Sequence, residues 1–320
     1  MNLRQIFAII TMLAASIAQG QEDWPSKPIH IIVPSAAGGA ADFLARNFAR
    51  YFTEQTKQAA VVENRPGAGS IIGAQIVKAS APDGYTYLLS GMSTQAANSV
   101  LYTNLSYDPP RDFDEIGMFG LFPMIGLVRK GSALSSVAEI VSYAKAHPDK
   151  LTFGYHAASA LIPVELIKAR TGIIMTGVPY KNVTQISLDI ISGLIDFAFI
   201  DALSAAPALK NGSLMPIAVT SANRVPSMPT VPTVAEVLPG YVMDGWLGLS
   251  APAGTPRYIL ERMNRVLRGA LSDSVIKARL EGQGLIPNGL TLEEQKIWVQ
   301  EDRRRWVEWV RIAKIEPQQQ

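Results

Sequence analysis

Cysteine is absent from all 320 residues, so the chain has no disulfide, no thiolate nucleophile and no site for a lipid-modified cysteine. Histidine occurs three times, as His30, His147 and His156, with no His-x-x-x-His or Cys pair to give a metal its ligands. Charge of either sign is nearly cancelled, at a net +2. Without a basic block, nucleic acid and anionic membranes are poor partners. The one basic run, Arg303-Arg304-Arg305, follows Glu301 and Asp302 and reads as a solvated helical face. A Gly-x-Ser-x-Gly elbow is missing too: Gly91-Met92-Ser93-Thr94-Gln95 lacks the final glycine. Gly67-Ala68-Gly69 with Gly73 has the wrong spacing for a dinucleotide loop and follows Asn64-Arg65-Pro66. No cofactor is expected.

The first residues read as a secretory signal, residues 1–20. Arg4 supplies the charge, Ile6 to Ala18 the apolar stretch, and Ala18-Gln19-Gly20 the small residues of a cleavage site. The stretch falls short of the ~20 apolar residues that span a bilayer. Removing Arg4 takes the net charge from +2 to +1. A freely periplasmic protein is expected, with no lipid anchor.

Beyond the signal, short apolar runs alternate with amphipathic segments. Ile29 to Val33, Val61 to Asn64 and Tyr85 to Ser90 read as strands; Leu44, Phe48 and Phe52 recur every four residues, as on one face of a helix from Ala41 to Thr56. Strands separated by helices imply parallel pairing through crossovers. The alternation restarts near Phe122. Ser136-Val137-Ala138-Glu139 reads as a capping box, Leu151 to Gly154 and Gly177 to Tyr180 as strands, and Pro163 to Thr171 as a helix between them. Strands at Phe197 to Ile200 and Pro216 to Val219 precede a Pro-rich connector, Val225 to Pro232. After Trp246 to Leu249 the chain turns helical, with Thr255-Pro256 as a helix start and Thr291 to Glu294 as a second capping box. The expected fold class is α/β with two lobes, residues 21–121 plus 246–320 and residues 122–245.

Two strand-to-helix loops carry the candidate chemistry. In Pro34-Ser35-Ala36-Ala37-Gly38-Gly39-Ala40-Ala41-Asp42, small residues let a ligand approach the backbone, and the helix start offers unpaired amides with partial positive charge. Asp42 in the first turn suits the helix dipole. The second loop, Tyr155-His156-Ala157-Ala158-Ser159-Ala160, adds amides, a hydroxyl and the one histidine in a plausible site. Ser93 and Thr94 follow a third strand. In open α/β sheets, ligands lie beyond the carboxyl ends of strands, where all three loops fall.

Nine stretches in order resemble one family, the solute-binding receptors of tripartite tricarboxylate transporters (the Bug family). They are Trp24-Pro25-Ser26-Lys27-Pro28, Gly38 to Asp42, Val62 to Gly69, Ala81 to Thr86, Tyr107-Asp108-Pro109, Val178 to Lys181, Ala218 to Ser221, Val231 to Glu236 and Ala251 to Pro256. The resemblance implies a two-lobed periplasmic binding protein type II fold closing on a carboxylated solute, with membrane permease subunits as partners and a monomeric receptor. It places the ligand's carboxylate on amides of Ser35, Ala36, Ala37, Gly38 and Gly39 and of Tyr155, His156, Ala158 and Ser159, with Ser93, Thr94, Asn98, Lys181 and Asp201 lining the cleft. The chain departs from the family pattern at Ser35, where phenylalanine is usual, at Tyr155 to Ala158, and at Asn182 in place of glycine. Those departures point to an aromatic or medium-length dicarboxylate. Two other functions fit the same residues: a sensor that docks on a signalling partner, and a hydrolase using Ser93 or Ser159 with His156, for which no orienting acid is identifiable.

Overall fold

The structure is a computed structural model that describes residues 24–319, so the expected signal lies outside the described residues. Strand β1 (Ile29–Val33) is buried along nearly its whole length because parallel neighbours flank it: β2 (Ala60–Asn64) and β3 (Thr86–Gly91). Helices α1 (Ala40–Thr56) and α2 (Ile71–Lys78) make the crossovers. The four-residue spacing of α1 does what it implies, burying Leu44, Phe48 and Phe52. Phe48 meets Phe119 edge-on at 5.0 Å, and Phe52 meets Trp24 at 6.2 Å.

A π-helical turn (Ser93–Ala97) and the short helices α3 (Asn98–Leu101) and α4 (Pro109–Asp112) lead into β4 (Phe113–Arg129). This 17-residue strand serves both halves of the molecule. From Phe113 to Pro123 it pairs antiparallel with β9 (Asp244–Pro252); from Met124 onward it pairs antiparallel with β7 (Phe197–Asp201) and β8 (Leu214–Val219). Between β4 and β8 run α5 (Val137–Ala146), β5 (Thr152–Tyr155), α6 (Ala158–Thr171), β6 (Thr176–Pro179), α7 (Val183–Ser192) and α8 (Ala202–Lys210), with β5 parallel to both β6 and β7. The sheet order is β2-β1-β3-β9-β4-β7-β5-β6. Parallel pairing therefore holds on both flanks, as the alternation implies. The middle is antiparallel, because β4 and β9 carry the chain across and back.

The last segment adds α9 (Arg257–Ser272), α10 (Ser274–Glu281), a two-residue strand β10 (Ile286–Pro287) on β4, and α11 (Leu292–Ala313). Helix α11 packs on α6, β4 and the π-helical turn, burying Trp306 and Trp309. Asp302, on its inner face, accepts a 2.7 Å hydrogen bond from Trp246 Nε1 and sits 3.0 Å from Arg305. Past α11 the chain is stitched back beside α3: Gln318 donates its amide to the Leu101 carbonyl and accepts from Thr103.

Several element boundaries differ from the sequence reading. Thr291 and Glu294 form the full capping box, but Glu139 reaches past Ser136 to the Ser135 amide and hydroxyl. The Thr255 hydroxyl is spent on the Pro252 carbonyl, so α9 starts after Pro256 without a side-chain cap. Helix α6 begins at Ala158, five residues before Pro163, which lies inside the helix. A proline lacks the amide that would bond back to the residue four before it, so Pro163 leaves the Ser159 carbonyl without that donor.

Asp302→Ala removes the acceptor of a fully buried indole N–H. It should cost about 1–3 kcal/mol, the usual penalty for stranding a buried donor. Asp302→Asn, which keeps an acceptor, should cost less. Equilibrium urea unfolding of both variants checks the order.

Candidate functional site

The two small-residue loops face one space. A cavity of about 850 Å³ is lined by Ser35 to Ala41 from the first loop, by His156 and Ser159 from the second, and by Asp201 to the start of α8. A narrow compartment of about 130 Å³ shares Ser35, Ala41, Phe122 and Leu247 with it and adds Ser90, Ser93 and Thr94. A third, of about 680 Å³, takes up Ser93, Asn98, Tyr155 and Ala158, and again His156 and Ser159. The shared lining makes these compartments of a single cleft. Its floor is the crossing pair, where Phe122 lies opposite Gly245. A Cβ on Gly245 would clash with Cε2 of the Phe122 ring, so glycine is what lets the ring lie over the strand.

The start of α1 has the electrostatics expected of an anion cradle. Its N-cap, Gly39, has no side chain to satisfy the first-turn amides, and the first helical bond is Phe43 N to the Gly39 carbonyl. One amide is already committed. Asp42 curls back so that Oδ2 accepts from Gly38 N at 2.9 Å, and Arg46 Nε donates to the same oxygen at 3.1 Å. Those bonds, Arg46 first, hold the Asp42 carboxyl below its ordinary range despite its burial. The pairing with Arg46 also offsets an acid that would otherwise repel an incoming anion. The Ser35 hydroxyl is buried and has no hydrogen-bond partner among the described residues.

On the opposite side, α6 also starts without a side-chain cap, at Ala157, and has no acid in its first turn. His156 precedes it. His156 is exposed, yet desolvation by the protein around it lowers its pKa, with Asp201 pulling the other way. Asp201 is itself the N-cap of α8, accepting from Ser204 N at 2.9 Å. Among the described residues it is the only acid lining the large cavity, and His156 is the only cationisable side chain there. Apolar side chains make up much of the rest: Phe43, Phe122, Met124, Leu247, Leu280 and Leu285.

Thirteen of the fourteen residues named from the sequence line these compartments, but three of them are occupied with the protein itself, Asp201 as the cap of α8. The buried Thr94 hydroxyl bonds the Gly91 amide and carbonyl. Asn98 Nδ2 donates to the Gly69 carbonyl at 2.9 Å and to the Tyr107 hydroxyl at 3.2 Å, tying the cleft wall together. Lys181 is the exception: it is exposed, outside all three linings. Asn182 beside it caps α7, accepting from Gln185 N at 3.0 Å. The other two histidines have local partners: His30 Nδ1 lies 2.6 Å from Glu63, and His147 ends α5 with its ring against Tyr143. The apolar wall from α10 and β10 was not read from the sequence, because Leu280 and Leu285 reach the cleft only through tertiary packing. Among the described residues, no cluster of acids and histidines could hold a metal, and no helix is long and apolar enough to cross a membrane.

Two parallel-stranded flanks joined by antiparallel crossing strands, with helix starts from both flanks facing one cleft, define a two-lobed periplasmic binding protein of type II. The chain belongs to the tripartite tricarboxylate transporter family receptors, whose model matches residues 44–314. Members of this family are periplasmic solute-binding receptors. BugT of Bordetella pertussis is 30% identical over 319 residues, covering 97% of this chain and 98% of that protein. Among solved structures, Rpa4515 of R. palustris with adipate superposes with a TM-score of 0.82 at 32% identity, over 92% of this chain and 100% of that one. MatC of Rhodopseudomonas palustris with bound malate gives 0.74 at 30% identity, over 90% and 100%.

Gly39 has φ −84° and ψ 177°, which any residue can adopt, and a Cβ there meets only the Ala36 carbonyl at 3.8 Å. Gly39→Val should therefore leave the melting temperature nearly unchanged while weakening carboxylate binding by about tenfold or more, roughly 1.4 kcal/mol, by blocking approach to the amides. Calorimetry and thermal melting, run side by side, test both halves of that expectation.

A carboxylate bound beside His156 would raise its pKa from the lowered value of the free protein. Affinity should then grow as pH falls through the pKa of the complex, and level off below the pKa of the free protein. Titrations across pH should show this component in the wild type and lose it in His156→Ala. An unchanged profile in the variant would remove the imidazole from the site.

Proposed function

We propose that the chain is an exported, monomeric receptor that closes residues 21–121 with 246–320 onto residues 122–245 around a small carboxylate and delivers it to the membrane permease of a tripartite tricarboxylate transporter. The observation that carries this reading is the pair of uncapped helix starts, at Gly39 and Ala157, lining one cleft with an unspent Ser35 hydroxyl. Such termini hold anions without a fixed side-chain cation, and preorganised amides lose little entropy on binding. The hinge is the β4–β9 pair, whose two strands alone carry the chain between the flanks.

The apolar residues of the large cavity favour a ligand whose carboxylate is attached to an apolar body. An aromatic acid or a medium-length dicarboxylate has that shape, and the similar Rpa4515 was solved with adipate. A shorter, hydroxylated acid such as the malate bound to MatC would leave that wall facing water. Turnover is not part of this reading. Among the described residues no hydrogen bond joins Ser93 or Ser159 to His156, and the carboxylate of Asp201 is engaged as a helix cap.

A thermal-shift screen with adipate, terephthalate, benzoate, malate and citrate should single out ligands of the first three kinds. A saturating ligand at about 100 times its Kd stabilises the native state by about 2.7 kcal/mol. Small-angle scattering at that saturation should show compaction. No shift with any of the five acids would overturn the receptor reading, and a larger shift with malate or citrate would overturn the ligand class.

A further inference from the structure

The crossing strands bury an acid that the anion cradle does not use. Glu115, near the start of β4, accepts a 2.8 Å hydrogen bond from Ser250 Oγ on β9, and Ser250 Oγ lies 2.7 Å from Ser90 Oγ on β3. Both serines are fully buried. Ser90 also lines the narrow compartment at the floor of the cleft. At the other end, Glu115 lines a separate cavity of about 310 Å³ between α4, α9 and α11, together with Lys296 and Arg303. Two carbonyl-free links, one hydroxyl each, thus connect the cleft floor to a carboxyl group facing the opposite side of the seam.

A hydroxyl has one proton to give. An ionised Glu115 can only accept, so Ser250 donates its hydrogen bond to it, and Ser250 in turn accepts from Ser90. The order of donation then points away from the cleft. A protonated Glu115 can donate to Ser250, which donates to Ser90, and the Ser90 proton is released toward other acceptors. Removing the carboxylate charge and reversing the donors act in the same direction on an anion in the cleft: both favour it.

We infer that Glu115, Ser250 and Ser90 form a hydrogen-bond relay through the β3–β9–β4 seam, and that Glu115 is a positioning residue whose protonation sets how well the cleft floor receives a carboxylate. The inference rests on the receptor reading above. The groups facing Glu115 fit a proton that comes and goes near neutrality. Burial pushes its carboxyl up to about 7, with Asp114 on its own strand adding to the rise. Ser250 on β9 and Arg303 and Gln295 on α11 pull it back. Arg303 is shared with Asp108, Asp302 and Tyr107 and donates to the Gln95 carbonyl, so it is not a dedicated partner.

The sign follows from linkage. An anion in the cleft favours the protonated acid, so affinity should fall as pH rises through the neutral range. The probe is adipate, titrated calorimetrically between about pH 8 and about pH 6 into wild type, Glu115→Gln and Ser250→Ala; the wild type should gain roughly three- to tenfold in affinity toward the lower pH, at most tenfold per unit for one proton. Glutamine mimics the protonated acid as a donor, so Glu115→Gln should already show the tighter affinity at the higher pH and respond less to acidification. Ser250→Ala keeps the acid but cuts the relay, and should flatten the profile as well. His156 is present in all three proteins, so the differences between them belong to Glu115. Thermal melts establish that each variant is folded. A full wild-type pH response in either variant overturns the relay while leaving the receptor reading intact. Failure of all five acids of the screen to bind the wild type overturns the receptor reading, and the relay with it.

Discussion

Antiparallel pairing between β4 and β9 is the constraint on which the rest of the molecule depends. Nine register pairs, from Phe113 opposite Pro252 to Pro123 opposite Asp244, hold the strands together. β3 needs β9 for its second neighbour, and β7 and β8 both need β4. Take the pair away and each flank becomes a short parallel sheet with a bare edge. The same two strands floor the cleft, so the element that joins the flanks is also the one a ligand would rest against.

What this cleft presents to a charged ligand is backbone more than charged side chain. Fixed cations near the first loop are spent: Arg46 is paired with Asp42, whose other task is to bind the Gly38 amide. That arrangement orders the loop and neutralises its own acid, leaving the remaining first-turn amides uncapped. A guanidinium in the cleft would bind any carboxylate tightly and release it slowly. Amide cradles give a weaker, more directional grip, set by the shape of the loop, and beside them lies the apolar wall from Phe43 to Leu285.

Much of this was legible in the sequence, and the reasons are local. Gly38-Gly39 after an apolar strand announces a turn into a helix, and the spacing of Leu44, Phe48 and Phe52 announces the face that helix buries. Where the reading fell short, distant contacts decide. The first half of β4 was not read as a strand because Asp114, Glu115, Gly117 and Gly120 break the apolar run; the strand forms there because β9 supplies a partner from more than a hundred residues away. Pro163 was read as a helix start. The chain instead nucleates α6 at Ala158 and tolerates the missing bond, since Ile162, Val164 and Leu166 are buried around it. In the site, the loops were recognisable by their small residues, whereas the internal commitments of Thr94 and Asn98 were not, because Gly91, Gly69 and Tyr107 meet them only in the folded chain.

The register of β3 against β9 also has a bearing on when the molecule can form. Leu88 pairs with Ser250, so the first flank cannot complete its sheet until the chain has been made almost to its last quarter. Contacts of such long sequence separation close slowly, because the loop entropy is lost before the pairing is gained. The residues between β4 and β9, by contrast, supply β5, β6, β7 and β8 from one continuous stretch. During synthesis that middle stretch can organise first, while β1, β2 and β3 wait with an open edge.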